Sequence, residues 1–98
     1  MVDKPKKDKK VSGVFIIKND RGLHTRPSTE IVKCSSQFKS DIKLKYKKTT
    51  VNARSLLGIL MLAAEKGAKI RITAIGDDAQ EAVDALIGLA EVSFHMKY

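Results

Sequence analysis

Two stretches of alternation constrain this chain more than any other feature. Residues 41–47, DIKLKYK, set Ile42, Leu44 and Tyr46 against Lys43, Lys45 and Lys47, and residues 68–76, AKIRITAIG, set Ile70, Ile72 and Ala74 against Lys69, Arg71 and Thr73. Successive side chains of a strand point to opposite faces, so both segments predict strands with one buried side and one wet, basic side. A sheet solvated on one face is characteristically antiparallel, and its apolar face needs a second layer.

The remaining segments supply that layer and complete the sheet. VSGVFIIK (11–18) is rich in branched and aromatic residues and is bounded by Asn19, Asp20 and Gly22, which predicts a first strand. From Thr25 the period changes to three or four, through Ile31, Cys34 or Ser35 and Phe38, with Pro27 tolerated in the first turn. That is a helix ending near Gln37. TTVNA (49–53) is close enough to strand 41–47 to pair as a hairpin, although Lys47 and Lys48 are not the Asn-Gly pair of a tight primed turn. Ser55 is a good N-cap for a helix from Leu56 to Glu65, with Gly67 as its stop. Asp78 and Glu81 form a capping box for a third helix, whose stripe is Ala82, Val83, Leu86, Ile87 and Ala90. The order is strand, helix, strand, strand, helix, strand, helix. This predicts an α+β domain in which an antiparallel sheet carries helices on one face.

Ninety-eight residues allow one such core and no second. The opening MVDKPKKDKK holds five lysines and two aspartates with one apolar residue after the initiator, so residues 1–10 are expected to be a disordered, lysine-rich arm ahead of a domain at 11–98. The longest apolar run, LLGILMLAA, is far short of the ~20 residues that span a bilayer, so no membrane insertion is expected. One cysteine excludes an intramolecular disulfide and suits a reducing cytoplasm; its spacing between Ile31 and Phe38 makes Cys34 core filler. Nineteen basic against eleven acidic residues, a net charge of +8, call for an anionic partner without choosing one.

The candidate chemistry lies in GLHTRPS, Gly22 to Ser28, where His24 stands directly before the first helix. A neutral imidazole is a nucleophile able to take a phosphoryl group or a metal. A metal needs further ligands at suitable spacing, and the other histidine, His95, sits far along the chain. Ser28 and Asp20 form no recognisable hydrolytic triad with His24. Phosphate fits better: the helix start offers free backbone N–H groups from Thr25, Arg26 and Ser28, Arg26 adds a fixed cation, and Gly22 lets the loop bring His24 over the helix end. An exposed cap-region histidine with no chemistry fits the spacing equally well.

Together with VNARSLLGILMLAAEKGAKI about thirty residues later, GLHTRPS closely resembles the HPr family of histidine-containing phosphocarriers of the bacterial phosphoenolpyruvate-dependent phosphotransferase system. The likeness runs from about Val11 to Glu91. It implies an open-faced two-layer sandwich, a four-stranded antiparallel sheet in the order 1-4-2-3 with three helices on one face. It also implies that His24 takes phosphate on Nδ1 from phosphorylated enzyme I and passes it to enzyme IIA components of sugar permeases. Arg26 would contact the phosphoryl group and Thr25 would offer its backbone N–H. Ser55 matches a serine phosphorylated by HPr kinase/phosphorylase, where added negative charge would repel acidic partners. Leu56, Leu57 and Leu60 would form a docking patch beside His24, with Ile59, Leu62 and Ala63 facing the sheet and Lys33 at the patch rim. The carrier would be a cytoplasmic monomer with no metal, no organic cofactor and no turnover of its own.

Arg21 stands where many relatives carry a small polar residue before the glycine, and the arm has no counterpart in most of them. Two other readings compete. A relay serving a nitrogen-type or purely regulatory branch would differ only in partner. A small nucleic-acid-binding domain would use the lysine faces, yet the strands lack interleaved exposed aromatics and no GXXG loop appears between helices, so no nucleic acid is expected.

Overall fold

The computed structural model describes residues 9–96. Strand β1 spans Lys10–Ile16, helix α1 Thr25–Ser35, β2 Asp41–Tyr46, β3 Thr49–Asn52, α2 Leu56–Met61, β4 Lys69–Ile75 and α3 Ala79–Glu91, with a last turn at Ser93–His95. The sheet order is β1-β4-β2-β3 with every pairing antiparallel. Both alternating segments form strands, and their apolar sides (Ile42, Leu44, Ile70, Ile72 and Ala74) are fully buried. Residues 1–8 of the expected arm lie outside the described residues. Of its last two residues, Lys10 opens β1 and the Lys9 carbonyl accepts from Gly76 N at 2.9 Å.

The core lies between the sheet and the helices. Ile31 of α1, Ile59 of α2 and Ala82, Val83, Leu86 and Ala90 of α3 meet Phe15 and the inward residues of β2 and β4. Ile87 packs only partly buried against it. Phe94 closes one end, fully buried, with its ring edge-on to Phe15 at 5.9 Å between centroids. Ser93, Phe94 and His95 all adopt left-handed backbone angles, which costs non-glycine residues about 1–2 kcal/mol each. Burial of the Phe94 ring offsets part of that cost. His95 therefore lies in this turn and not in a helix.

Three local expectations are corrected. Helix α2 ends at Met61, four residues early; Ala63 takes φ 50 outside it and is exposed, so it does not face the sheet. The Asp78 side chain does not cap α3. Its carboxylate instead accepts from Lys39 N at 2.8 Å, Ser40 N at 2.9 Å and Ser40 Oγ, fastening the α1–β2 connection to the start of α3. Those donors favour the charged form and hold the Asp78 carboxyl below its usual range. Cys34 is half-buried at the core edge, where burial and then the Glu30 charge push its thiol up, the direction of an unreactive cysteine.

Candidate functional site

The site is built by a loop that the strand end, the helix start and the α2–β4 connection hold together. Ile17 follows β1 and exchanges backbone bonds with that connection, donating to Ala68 O at 3.0 Å and accepting from Gly67 N at 2.8 Å. The chain then turns through Asn19–Gly22, where Gly22 N donates to Asn19 O at 3.2 Å. Gly22 adopts φ +70, and a Cβ there would collide with the Ala64 carbonyl and reach within 2.8 Å of Glu65 Cα. Only glycine satisfies both the backbone angle and the close approach. Leu23 is buried, donates to Ala64 O at 2.9 Å and accepts from the buried Ser28 hydroxyl at 3.2 Å.

Asn19 is the residue that sequence reasoning passed over. It is 2 % exposed, and its Nδ2 donates to Gly22 O at 2.6 Å, closing the turn from inside. Asparagine commonly bonds its own loop a few residues on, and that habit was the available signal. An exposed ion pair, Lys66 Nζ to Asp20 Oδ1 at 2.9 Å, adds a second tie across the same gap and lowers the Asp20 carboxyl through that bond.

His24 emerges from this frame as the N-cap of α1, with extended backbone and no side-chain cap bond. Its imidazole is half-buried. Nε2 is shielded from solvent and has no hydrogen-bond partner among the described residues, which leaves Nδ1 as the open nitrogen. The helix start does not offer all the donors expected, because Ser28 N donates to His24 O at 3.1 Å in the first helical bond. The free N–H groups are those of Thr25 and Arg26, since Pro27 has none. Thr25 and Arg26 are both exposed, and no hydrogen bond or ion pair engages the Arg26 guanidinium among the described residues. An open imidazole nitrogen, two unpaired amides at the positive end of an eleven-residue helix and an unpaired guanidinium make an anion cradle beside a nucleophile.

Ser55 caps α2, its Oγ accepting from Gly58 N at 3.0 Å. The neighbouring cation is already engaged: Arg54 donates to the Phe38 carbonyl and to Ser40 O at 3.0 Å. On α2, Leu56 is exposed, Leu57 is 69 % exposed and Leu60 is half-buried, while Met61 is 70 % exposed. The exposed apolar patch on α2 is Leu56, Leu57 and Met61, the last one turn from Leu57, with Leu60 half-buried beside them. Lys33 is exposed, sits 3.7 Å from Glu30, and lines a groove with Cys34, Gln37, Ala85, Gly88 and Leu89; none of the α2 leucines lines that groove. No cluster of three His, Cys, Asp or Glu able to hold a metal occurs among the described residues, and no helix among them is long and apolar enough to cross a membrane.

Residues 11–91 match the family described as the PTS HPr component phosphorylation site. Solved structures agree. HPr-C-His from Thermoanaerobacter tengcongensis is 38 % identical over 92 % of this chain and 99 % of its own, with a TM-score of 0.82. The phosphocarrier protein HPr of Bacillus anthracis str. Ames is 37 % identical over 81 % of this chain and 94 % of its own, with a TM-score of 0.77. An HPr dimer from Thermoanaerobacter tengcongensis is 41 % identical over 80 % and 90 %, with a TM-score of 0.70. Since the family match covers everything from the first residues of β1 to the end of α3, the chain belongs to the HPr family, the phosphocarrier proteins of the phosphotransferase system.

Proposed function

We propose that the chain takes a phosphoryl group on His24 Nδ1 from phosphorylated enzyme I, supplied ultimately by phosphoenolpyruvate, and passes it to enzyme IIA components of sugar permeases. The observation that carries this reading is the pairing of an open Nδ1 with free N–H groups at Thr25 and Arg26. In the forward step the Nδ1 lone pair attacks phosphorus while the bond from phosphorus to the donor side chain breaks, and the donor leaves with that electron pair. The second step reverses the roles, with His24 as leaving group. The Arg26 guanidinium neutralises charge on the transferring oxygens, and the helix dipole favours the phosphorylated state modestly. A partly open site suits this purpose, because a carrier must release its cargo as readily as it accepts it. The chain exchanges one phosphoryl group and has no turnover of its own.

Leu56, Leu57 and Met61 supply an apolar docking surface on the same helical layer, and the exposed cations steer acidic partners. The working unit in this reading is a single chain in the cytoplasm, with Leu60 bordering the surface and Lys33 as a rim cation on the neighbouring groove between α1 and α3. Phosphorylation of Ser55 by HPr kinase/phosphorylase would displace the cap bond from Gly58 and set nearly two negative charges beside Leu56. With Arg54 held by the Phe38 and Ser40 carbonyls, that charge faces the docking surface unneutralised and repels acidic partners.

Incubation with phosphoenolpyruvate and enzyme I tests the relay. An acid-labile phosphate on His24 that disappears in His24→Ala supports it, and no label with a competent enzyme I sinks it. ATP with HPr kinase/phosphorylase should give an acid-stable phosphate lost in Ser55→Ala; a label elsewhere removes the regulatory role.

A further inference from the structure

The open face of the sheet is a basic plane that the phosphoryl site does not use. The strand registers place Lys10, Val14 and Ile16 of β1, Lys69, Arg71 and Ile75 of β4, and Asp41, Lys43 and Lys45 of β2 on one side, away from the helices. Lys47 joins them from the β2–β3 turn. The carboxylate on this face is that of Asp41, 3.7 Å from Lys43, so Lys10, Lys45, Lys47, Lys69 and Arg71 have no acidic partner among the described residues of the face. Lys45 and Arg71 are direct cross-strand partners. Like charges in that register destabilise a sheet, and here Lys69 and Lys47 crowd the same place: with Val14 the four cations line a shallow concavity of ≈ 270 Å³. An arrangement that opposes folding and has no internal counter-charge is relieved by an external anion.

We propose that this face adsorbs to an anionic lipid bilayer, without inserting. The composition of the face favours lipid over nucleic acid. All but one of the cations are lysines, which act as hydrated point charges on long apolar stems and do not offer the bidentate fork that reads phosphate or bases. Val14, Ile16 and Ile75, each near two-fifths exposed, stand among them where a headgroup layer accepts small apolar contacts; among the described residues no aromatic lies on this side of a strand, and the nearest ring, the half-buried Tyr46, is already covered by Lys47 Nζ at 5.2 Å. The sequence continues the charge: MVDKPKKDKK enters the sheet at Lys10, on edge strand β1 at the border of this plane. Clustered lysines beside a membrane surface are attracted additively within about a Debye length, ~8 Å at physiological salt. Helices α1 and α2, with His24 and the leucine patch, cover the opposite side of the sheet, so an adsorbed carrier keeps its exchange surface open.

The test is sedimentation of the full chain with vesicles of phosphatidylcholine alone, with vesicles containing phosphatidylglycerol, and with duplex DNA at the same salt. Binding to phosphatidylglycerol vesicles that is absent from neutral ones and fades as salt is raised is the expected result. Replacing Lys45, Lys47, Lys69 and Arg71 together by glutamine should weaken it at least tenfold while leaving thermal unfolding cooperative, and Leu57→Ala should leave it unchanged. Equal binding to neutral vesicles, full binding by the glutamine variant, or tighter binding to DNA than to anionic vesicles overturns the proposal.

Discussion

The backbone N–H of Leu23 donates to the carbonyl oxygen of Ala64 at 2.9 Å, joining the residue before His24 to the chain that leaves α2. Forty-one positions separate the two, so the orientation of the imidazole depends on a contact that neither segment makes alone. Helix α2 is cut short to make it: Leu62 is buried, Ala63 turns left-handed, and Ala64 presents its oxygen to the loop.

Gly22→Ala attacks this junction directly. A Cβ at φ +70 meets the Ala64 carbonyl, so the loop must shift in addition to bearing about 1 kcal/mol or more of left-handed strain. The variant should lose stability in urea titration and accept phosphate from enzyme I more slowly, because His24 moves with Gly22. A wild-type rate would show that the position of the loop is unimportant.

Asn19→Ala removes the buried Nδ2 donor to Gly22 O, which keeps its bond from His24 N at 3.0 Å, so the cost is that of one hydrogen bond, about 0.5–1.5 kcal/mol. Chemical denaturation measures the loss. Asn19→Asp, which keeps the size but supplies no N–H, should be no better than alanine.

Leu57→Glu and Met61→Glu alter exposed positions and should change stability by no more than ~0.5 kcal/mol. They should nevertheless weaken docking to enzyme I by roughly tenfold, seen as a raised KM with the maximal transfer rate nearly intact. A matching loss in Ile59→Ala would instead accompany lowered stability, since Ile59 is fully buried.

Asp78 ties stability to pH. Its folded carboxyl is held below the usual range by the Ser40 hydroxyl and the backbone N–H groups of Lys39 and Ser40. The stabilisation is full above the unfolded carboxyl value, ~3.9, and disappears as pH falls through the lower folded value. Asp78→Asn should lower Tm at pH 7, and the gap from wild type should close in acid. A pH-independent gap would show that packing, not the carboxylate, holds the connection.

The order of elements and the buried faces of β2 and β4 were legible in the sequence because alternation and helical spacing are local, and one core must collect the apolar side of each. That His24 and Ser55 stand at helix starts was legible too, since a cap residue announces itself beside the helix it starts. Other features depended on distant partners. Ser28 lost its free N–H to His24, and Met61 stands exposed one turn from Leu57. Asp78 left its own helix for Ser40. The Leu-Ala-Ala-Glu run at 62–65 has good helical propensity, worth a few tenths of a kcal/mol per residue, and the buried bond between Ala64 and Leu23 outweighs it. The sequence by itself thus determined a half-wet antiparallel sheet, its helical cover and a histidine at a helix start. The tertiary structure decided where α2 ends, which imidazole nitrogen is open and which donors stay free, because each depends on hydrogen bonds between segments far apart in the chain.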